Sequence, residues 1–469
     1  MHRCTVRFIN FCLLLAAFLL SASAQSDSRV VGINVLLKSA PTPAVLSDLG
    51  KHGKIRDVVE EIKAVTLQAP LSELAVIQGL TYVASANQDS PRGTGPVDTV
   101  TATDFVAGIS TWDLDAINVT NPGAGRTTSL TGAGVNVAVI DTGLVDNWRQ
   151  YFPEQRILSQ YGAAFAGGGG EVGSVSTQPN KWEHDQNSHG THVTSTILGY
   201  SLAGTPVNGV APQANVVPIK VLNQNGSGWS SVVARGIVYA ADLKEGPLAG
   251  SPMVINMSLG GPTLDAMEKA AIDYAALKGV IIVAAAGNED NHGMGYPGAY
   301  APVISVAAAG WTGEWKAGTD NVVGNWWWKD NVADPTNPAD YYITDFSSRA
   351  LAGQQLDVAA PGSWVVGPYQ LNGQLSYYFL GGTSMASPHV AGIAALLAQR
   401  DPNLTNAQAE SILKAAAAMA PMNSGCQNIK QPDGSTQNIC WGPGHDPATS
   451  LDADGSGFVT LTNALSIVY

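Results

Sequence analysis

Three short segments, far apart in the chain, hold an aspartate, a histidine and a serine in settings that suit nucleophilic catalysis. They read Val137-Ala138-Val139-Ile140-Asp141-Thr142-Gly143, Ser188-His189-Gly190-Thr191-His192-Val193 and Gly382-Thr383-Ser384-Met385-Ala386-Ser387-Pro388-His389. A serine hydroxyl is a poor nucleophile until a base takes its proton, and the base needs a carboxylate to fix its tautomer and stabilise its charged form. Asp141, His189 and Ser384 supply these groups in the chain order Asp, His, Ser. Singly, each segment has a plainer reading: a turn after a strand, a helix cap or metal pair, and a loop. Their joint occurrence argues for chemistry.

The flanking residues give each group a reason to be presented. Val135 to Ile140 is mostly apolar and β-branched, with Asn136 its one polar residue, is bounded by Gly134 and Gly143, and reads as a buried parallel strand. Asp141 then falls at the strand's C-terminal end, where open α/β sheets place their sites. His189 opens an apolar helical stretch, Gly190 to Leu198, and Ser384 opens another that continues through Val390 to Ala398. Pro388 is acceptable there because it lies near the helix start, and a serine at a helix N-terminus gains positive potential from unpaired amides. A fourth segment, Val280 to Ala286, reads as a buried strand ending at Gly287-Asn288-Glu289.

On these motifs the chain resembles the subtilisin family of serine proteases, from about Trp112 to about Leu413. Asp-His-Ser is also that family's triad order. The resemblance implies catalytic roles for Asp141, His189 and Ser384, with Asn288 and the Ser384 amide as oxyanion donors. It places an extended substrate between two edge segments, Asn225-Gly226-Ser227-Gly228 and Ser258-Leu259-Gly260-Gly261, by strand addition. Gly295-Tyr296-Pro297 resembles the base of the primary specificity pocket. Gly295 with Ala285 and Gly260, and Gly287 on the substrate side, would leave an open slot for large apolar or aromatic residues. Glu289 at the rim leaves room for a basic one. No cofactor is implied for the chemistry. His192, His389 and Asp185 read as structural neighbours.

The resemblance also implies a fold: a three-layer α/β domain, its mostly parallel sheet covered by helices on both faces. Ala214 to Leu222 and Val254 to Met257 read as further strands, and Ser230 to Ala241 and Leu264 to Leu277 as helices. Ahead of it, a β-α-β-α-β pattern (Val30 to Leu37, Pro43 to His52, Ile55 to Leu67, Leu71 to Leu80, Thr81 to Ala86) resembles the family's propeptide. That is a small ferredoxin-like α+β inhibitor of its own enzyme. Its C-terminal strand would lie in the active-site cleft as a first substrate, and self-cleavage between Ala84 and Gly95 is then expected. The divisions are 1–24 signal peptide, 25–90 propeptide, 91–111 linker, 112–420 peptidase domain and 421–469 tail.

Composition narrows the class. The chain has 469 residues, a charged fraction of 13% and a formal net charge of −13. With no Lys/Arg cluster, nucleic-acid binding is set aside. Arg3 and Arg7, the apolar run Phe11 to Leu20 and the small residues Ser21 to Ala24 read as an export signal cleaved after Ala24. That run is too short for a span, which needs about 20 apolar residues. The expectation is a secreted protein, extracellular or periplasmic, monomeric and without a membrane span once the signal is removed. Cys4 and Cys12 leave with the signal, so Cys426 and Cys440 are expected to pair in an oxidising compartment. Closing that loop is worth about 3 kcal/mol in the chain-entropy model.

Two segments lie outside this pattern. Residues 311–342 hold five of the eleven tryptophans and read as an ordered surface insertion or an extra binding surface. In the tail, Asp452, Asp454 and Ser456 fall at positions one, three and five of a calcium loop, with Gly457 at six and the Phe458 carbonyl at seven. The spacing resembles half of a dockerin-like repeat, with Asn463 in place of the bidentate acid. The segment Tyr200 to Asn208 does not reproduce the family's usual calcium loop. Asn118, Asn256 and Asn403 stand in Asn-x-Ser/Thr sequences. Two other readings stay open: a dedicated proprotein-processing protease, and a catalytically silent binding protein on the same fold.

Overall fold

The computed structural model describes residues 28–467, apart from 103–110, 122–124, 166–170, 172, 179, 203, 315–336, 338–339, 423–424 and 442–450. The signal segment and most of the Trp-rich insertion thus lie outside the described residues. Two compact units emerge, one reaching Asp89 with the pieces Gly167–Ser176 and Asp265–Met267, the other taking the remainder.

The N-terminal unit runs β1 (Val30–Leu37), α1 (Pro43–Leu49), β2 (Lys54–Val59), β3 (Ala64–Pro70), α2 (Glu73–Gln78) and β4 (Val83–Gln88). Its sheet has the order β2-β3-β1-β4. The single strand expected over Ile55 to Leu67 is two, broken by a turn at Glu60–Ile62 that Lys63 closes with φ 55°. The adjacent acids Glu60 and Glu61 interrupt the alternation there. Val31, Ile33, Val35, Leu49, Val65, Leu67 and Ile77 are its fully buried core.

The second unit begins with β5 (Pro91–Gly93), β6 (Asp98–Thr101), α3 (Trp112–Ala116), β7 (Asn136–Asp141) and β8 (Ala163–Ala164). It continues through α4 (His189–Leu198), β9 (Gly199–Leu202), β10 (Thr205–Asn208), β11 (Asn215–Lys220), β12 (Ser227–Trp229) and α5 (Ser230–Glu245). Next come β13 (Met253–Met257), α6 (Ala266–Leu277), β14 (Val280–Ala285), β15 (Ile304–Trp311), β16 (Tyr341–Ile343) and β17 (Val358–Pro361). The last elements are β18 (Val365–Leu371), β19 (Gln374–Gly381), α7 (Thr383–Arg400), α8 (Asn406–Ala418), β20 (Gly425–Lys430), β21 (Thr436–Trp441) and α9 (Leu461–Ile467).

The main sheet has the order β16-β15-β14-β13-β7-β11-β8, with β17 beside β15. All its pairings are parallel except β15 with β16. Strands covered on both faces read as near-continuous apolar runs, and every residue of β7, β13 and β14 is buried, the polar Asn136, Asp141 and Asn256 included. Val137 and Val139 of β7 share a core with Val193 and Ile197 of α4 and Val390 and Ile393 of α7. Ile140 turns the other way; a Cβ on Gly236 of α5 would come 3.5 Å from it.

The stretch read as a linker contains β5 and β6, each paired with a distant strand, β12 and β19 respectively. Its Pro, Gly and Thr residues suit edge strands as well as linkers, and only the partner decides. Within Tyr200 to Asn208, β9 and β10 pair antiparallel, with Leu202 opposite Thr205 and Tyr200 opposite Val207. Cys426 and Cys440 face each other across β20 and β21 and are joined as a disulfide. Among the described residues no helix is long and apolar enough to cross a membrane.

Candidate active site

Asp141 ends β7 at the C-terminal edge of the sheet. His189 opens α4, and the entry is fixed by Asp185. That carboxylate accepts the N–H groups of Asn187 and Ser188 at 2.9 and 2.8 Å and the Thr142 hydroxyl at 2.7 Å. Ser188 takes a left-handed φ of 73°. At Gly190, an added Cβ would lie 2.4 Å from the Gly143 carbonyl, so glycine lets α4 start directly against the turn after β7. His189 Nδ1 consequently sits 2.9 and 3.0 Å from the two carboxylate oxygens of Asp141. Both residues are fully buried.

Ser384 is the second residue of α7, and its Oγ donates to the Ser258 carbonyl at 3.2 Å. Pro388 has no N–H to bond the carbonyl four residues back. The Ser258 hydroxyl donates to that Ser384 carbonyl instead, at 2.8 Å. Asn256 Nδ2 in turn donates to Ser258 Oγ at 3.1 Å, and its Oδ1 accepts from Ser387 Oγ at 2.7 Å. Asn256 is completely buried, which removes it as a glycan acceptor in the folded chain.

Asn288 Oδ1 accepts both the N–H and the hydroxyl of Thr383 at 2.9 Å. Only the oxygen can accept, so this pair assigns the amide orientation and leaves Nδ2 on the side of Gly382. A Cβ added to Gly382 would lie 3.8 Å from both Asn288 Nδ2 and Pro96 Cα.

Sequence reasoning expected the propeptide's C-terminal strand in the cleft but missed the segment that fills the space between these groups, which it read as linker. The Thr94 hydroxyl lies 2.9 Å from His189 Nε2 and 3.4 Å from Ser384 Oγ, and donates to the Ser258 carbonyl. Among the described residues His189 and Ser384 share no direct hydrogen bond; Thr94 stands between them. The backbone leading to Thr94 is held on both sides. β5 pairs antiparallel with β12, setting Gly93 opposite Ser227 and Arg92 opposite Gly228. Gly93 and Gly260 exchange two backbone bonds at 2.9 Å, and Thr94 N–H donates to Gly226 at 2.9 Å. The edge segments expected to clamp a peptide thus hold the chain's own Pro91–Thr94. Proline, arginine, glycine and threonine in a row carry no strand signal, which is why the segment was missed.

The slot residues also converge. A Cβ on Gly260 would lie 3.8 Å from Gly295 Cα, and one on Gly287 would lie 3.1 Å from the Gly295 nitrogen. Ala285 is buried at the end of β14 and Leu259 is buried behind the Ser258–Gly261 edge. Glu289 turns its Oε2 onto the Asn288 N–H at 2.8 Å and the Ser348 hydroxyl at 3.1 Å. The two neighbouring histidines are structural. Burial, then the adjacent His189, pushes His192 down to about 3, and its Nε2 lies 3.2 Å from the Val365 carbonyl. His389 lies 2.9 Å from both the Met385 carbonyl and an Asp113 carboxylate oxygen.

The family model for the subtilase family matches residues 132–442. The chain belongs to the subtilase family. This subtilase is 34% identical over 278 residues to thermitase of Thermoactinomyces vulgaris, covering 59% of its own length and 80% of that protein. It is 36% identical over 290 residues to subtilisin DY of Bacillus licheniformis, covering 61% and 84% respectively. Among solved structures it matches sphericase with a TM-score of 0.53 and 30% identity, over 76% of this chain and 99% of that one. It is therefore a subtilisin-like serine endopeptidase, and the chemistry of such a hydrolase requires no cofactor.

The tail of the subtilase gives the calcium loop a small donor set. Burial, then the charge of Asp452, pushes Asp454 up to about 6. Asp452 Oδ1 already accepts the Gly455 N–H at 2.8 Å. The Phe458 ring is buried and stacked on Tyr341 at 4.4 Å, so only its carbonyl is left for a ligand role. Asn463 donates to the Ala416 carbonyl at 3.2 Å. No group of three or more His, Cys, Asp or Glu suited to a metal exists among the described residues, whereas calcium takes about six to eight oxygens.

Proposed function

We propose that this subtilase is a secreted endopeptidase made as a self-processing zymogen and acting through an acyl-enzyme. Ser384 attacks the scissile carbonyl. His189 takes the hydroxyl proton at Nε2 and gives it to the leaving amine. Asp141 holds the imidazole and stabilises its charge, while Asn288 Nδ2 and the Ser384 amide receive the oxyanion.

The observation that carries this reading is the seating of Pro91–Thr94. A strand bonded on both edges, with one side chain against His189 and Ser384, is how an extended peptide would be presented. Here the strand is continuous with residues 25–90, which supports reading them as a propeptide and first substrate. Cleavage falls between Ala84 and Gly95, at the Thr94 end of that interval. In mature enzyme the slot formed by Gly260, Ala285, Gly287 and Gly295 would take a large apolar side chain of a protein or peptide substrate. Residues 1–24 direct export, the mature protein is a monomer, and Asp452, Asp454, Ser456 and Phe458 hold a weak structural calcium.

The test is the S384A variant. It should accumulate as an uncut chain starting at Gln25, while wild type has lost Pro91–Thr94 and starts at or near Gly95. Equal processing of both would sink the self-cleavage. One observation favours a narrower second reading, a dedicated processing protease: Arg92 is buried against Glu268, a charged contact that few substrates would match.

A further inference from the structure

We propose that Glu268 is an arginine-reading carboxylate of the substrate cleft. The mature enzyme would then prefer peptides carrying arginine two residues before the residue that occupies the Thr94 position. This rests on reading Pro91–Thr94 as a substrate-like strand, and it names the substrate class that strand implies.

Arg92 Nε donates to Glu268 Oε1 at 2.9 Å and Nη2 donates to Oε2 at 2.5 Å. The pair is bidentate, and both side chains are fully buried. Two of the three remaining guanidinium N–H groups are met by the Thr263 carbonyl at 3.0 Å and the Pro91 carbonyl at 2.8 Å. Side chains two apart on a strand share a face, so Arg92 and Thr94 point the same way, one to Glu268 and the other to His189. The approach depends on Gly261, where an added Cβ would lie 2.2 Å from the Pro91 carbonyl and 2.8 Å from Arg92 Nη1.

Glu268 stands on the buried stripe of α6, in helical register with Ala271, Ile272 and Ala275, all fully buried. An acid on such a stripe is costly unless a cation meets it with good geometry. The cation seen here belongs to the strand in the cleft. When that strand leaves, a carboxylate remains that an incoming arginine can pair again. Lysine matches it less well, because only the planar guanidinium offers two parallel donors. The glycine-lined slot and Glu268 would thus sort different substrate positions, one apolar and one basic.

The experiment uses processed wild-type enzyme and quenched fluorescent peptides with phenylalanine before the cleaved bond. Arginine, lysine or alanine is placed in turn at each of the preceding positions. Arginine should raise kcat/KM about tenfold or more at a single position, three or four residues before the cut. Lysine should gain less, and in E268Q the arginine-to-alanine ratio should fall to about one. Should E268Q fail to accumulate, inhibition of wild type by Pro-Arg-Gly-Thr against Pro-Gln-Gly-Thr decides, and equal inhibition overturns the proposal. Peptides cut at Ser384 without any arginine preference, or a preference kept in E268Q, overturn it while leaving the protease reading intact. Failure to cleave any peptide, with Ser384 inert, overturns both.

Discussion

The carbonyl of Ser384 accepts the Ser258 hydroxyl at 2.8 Å, in place of the N–H that Pro388 lacks. One side chain thereby ties the substrate-edge segment to the first turn of α7. Leaving a buried carbonyl unpaired costs about 1–3 kcal/mol. S258A should therefore lower the thermal midpoint of sulfonyl-inactivated protein, and S258A/P388A should recover part of the loss, because alanine returns the helix donor. Equal losses in the single and double variants would contradict the pairing.

Asn288 is locked by two bonds from Thr383, so its amide is positioned before any substrate arrives. Preorganised donors act on the transition state more than on the bound substrate. N288A should reduce kcat about 10²–10³-fold with little change in KM, the loss known from subtilisin itself. A variant that raised KM and kept kcat would assign Asn288 to ground-state binding.

Glu314 gives a stability prediction of definite sign. Burial pushes it from 4.5 up to about 8, against opposing hydrogen bonds from Tyr342 and Ser363. Between those values the folded chain keeps a proton that the unfolded chain has lost. Stability from this group is thus present below pH 4.5 and declines as pH rises towards about 8. E314Q keeps the neutral form, so its thermal midpoint relative to wild type should climb across that window and then level. A difference independent of pH would contradict the buried neutral acid.

For the tail, a weak calcium site stabilises only by mass action, about 1–3 kcal/mol at concentrations well above its dissociation constant. Chelation should lower the thermal midpoint of wild type, and D452N/D454N should lose the response to added calcium. An unresponsive wild type would remove calcium from this loop.

The triad was legible because each member sits at the end of an element with an unmistakable local pattern. Asp141 ends a strand that is apolar from Val137 to Ile140, and His189 and Ser384 begin helices whose small residues permit close packing. The oxyanion donor was legible for the same reason at the end of β14. Non-local pairing was not legible. β5 is a strand only because Ser227–Trp229 lies beside it, and nothing within Pro91 to Thr94 encodes that partner. Glu268 did leave a trace, an acid in register with Ala271, Ile272 and Ala275, but without Arg92 opposite it reads as a helix-surface charge. Glu60 and Glu61 likewise marked the break between β2 and β3, where alternation alone suggested one long strand.

The most direct test of Ser384 as an activated nucleophile is an intact-mass spectrum of the secreted protein before and after a sulfonyl fluoride reagent. The expected result is one adduct, mapped to Ser384, on a chain that has lost Pro91–Thr94 and starts at or near Gly95. An unlabelled chain that has already lost residues 25–90 would contradict the catalytic reading and leave a binding protein on a subtilase fold.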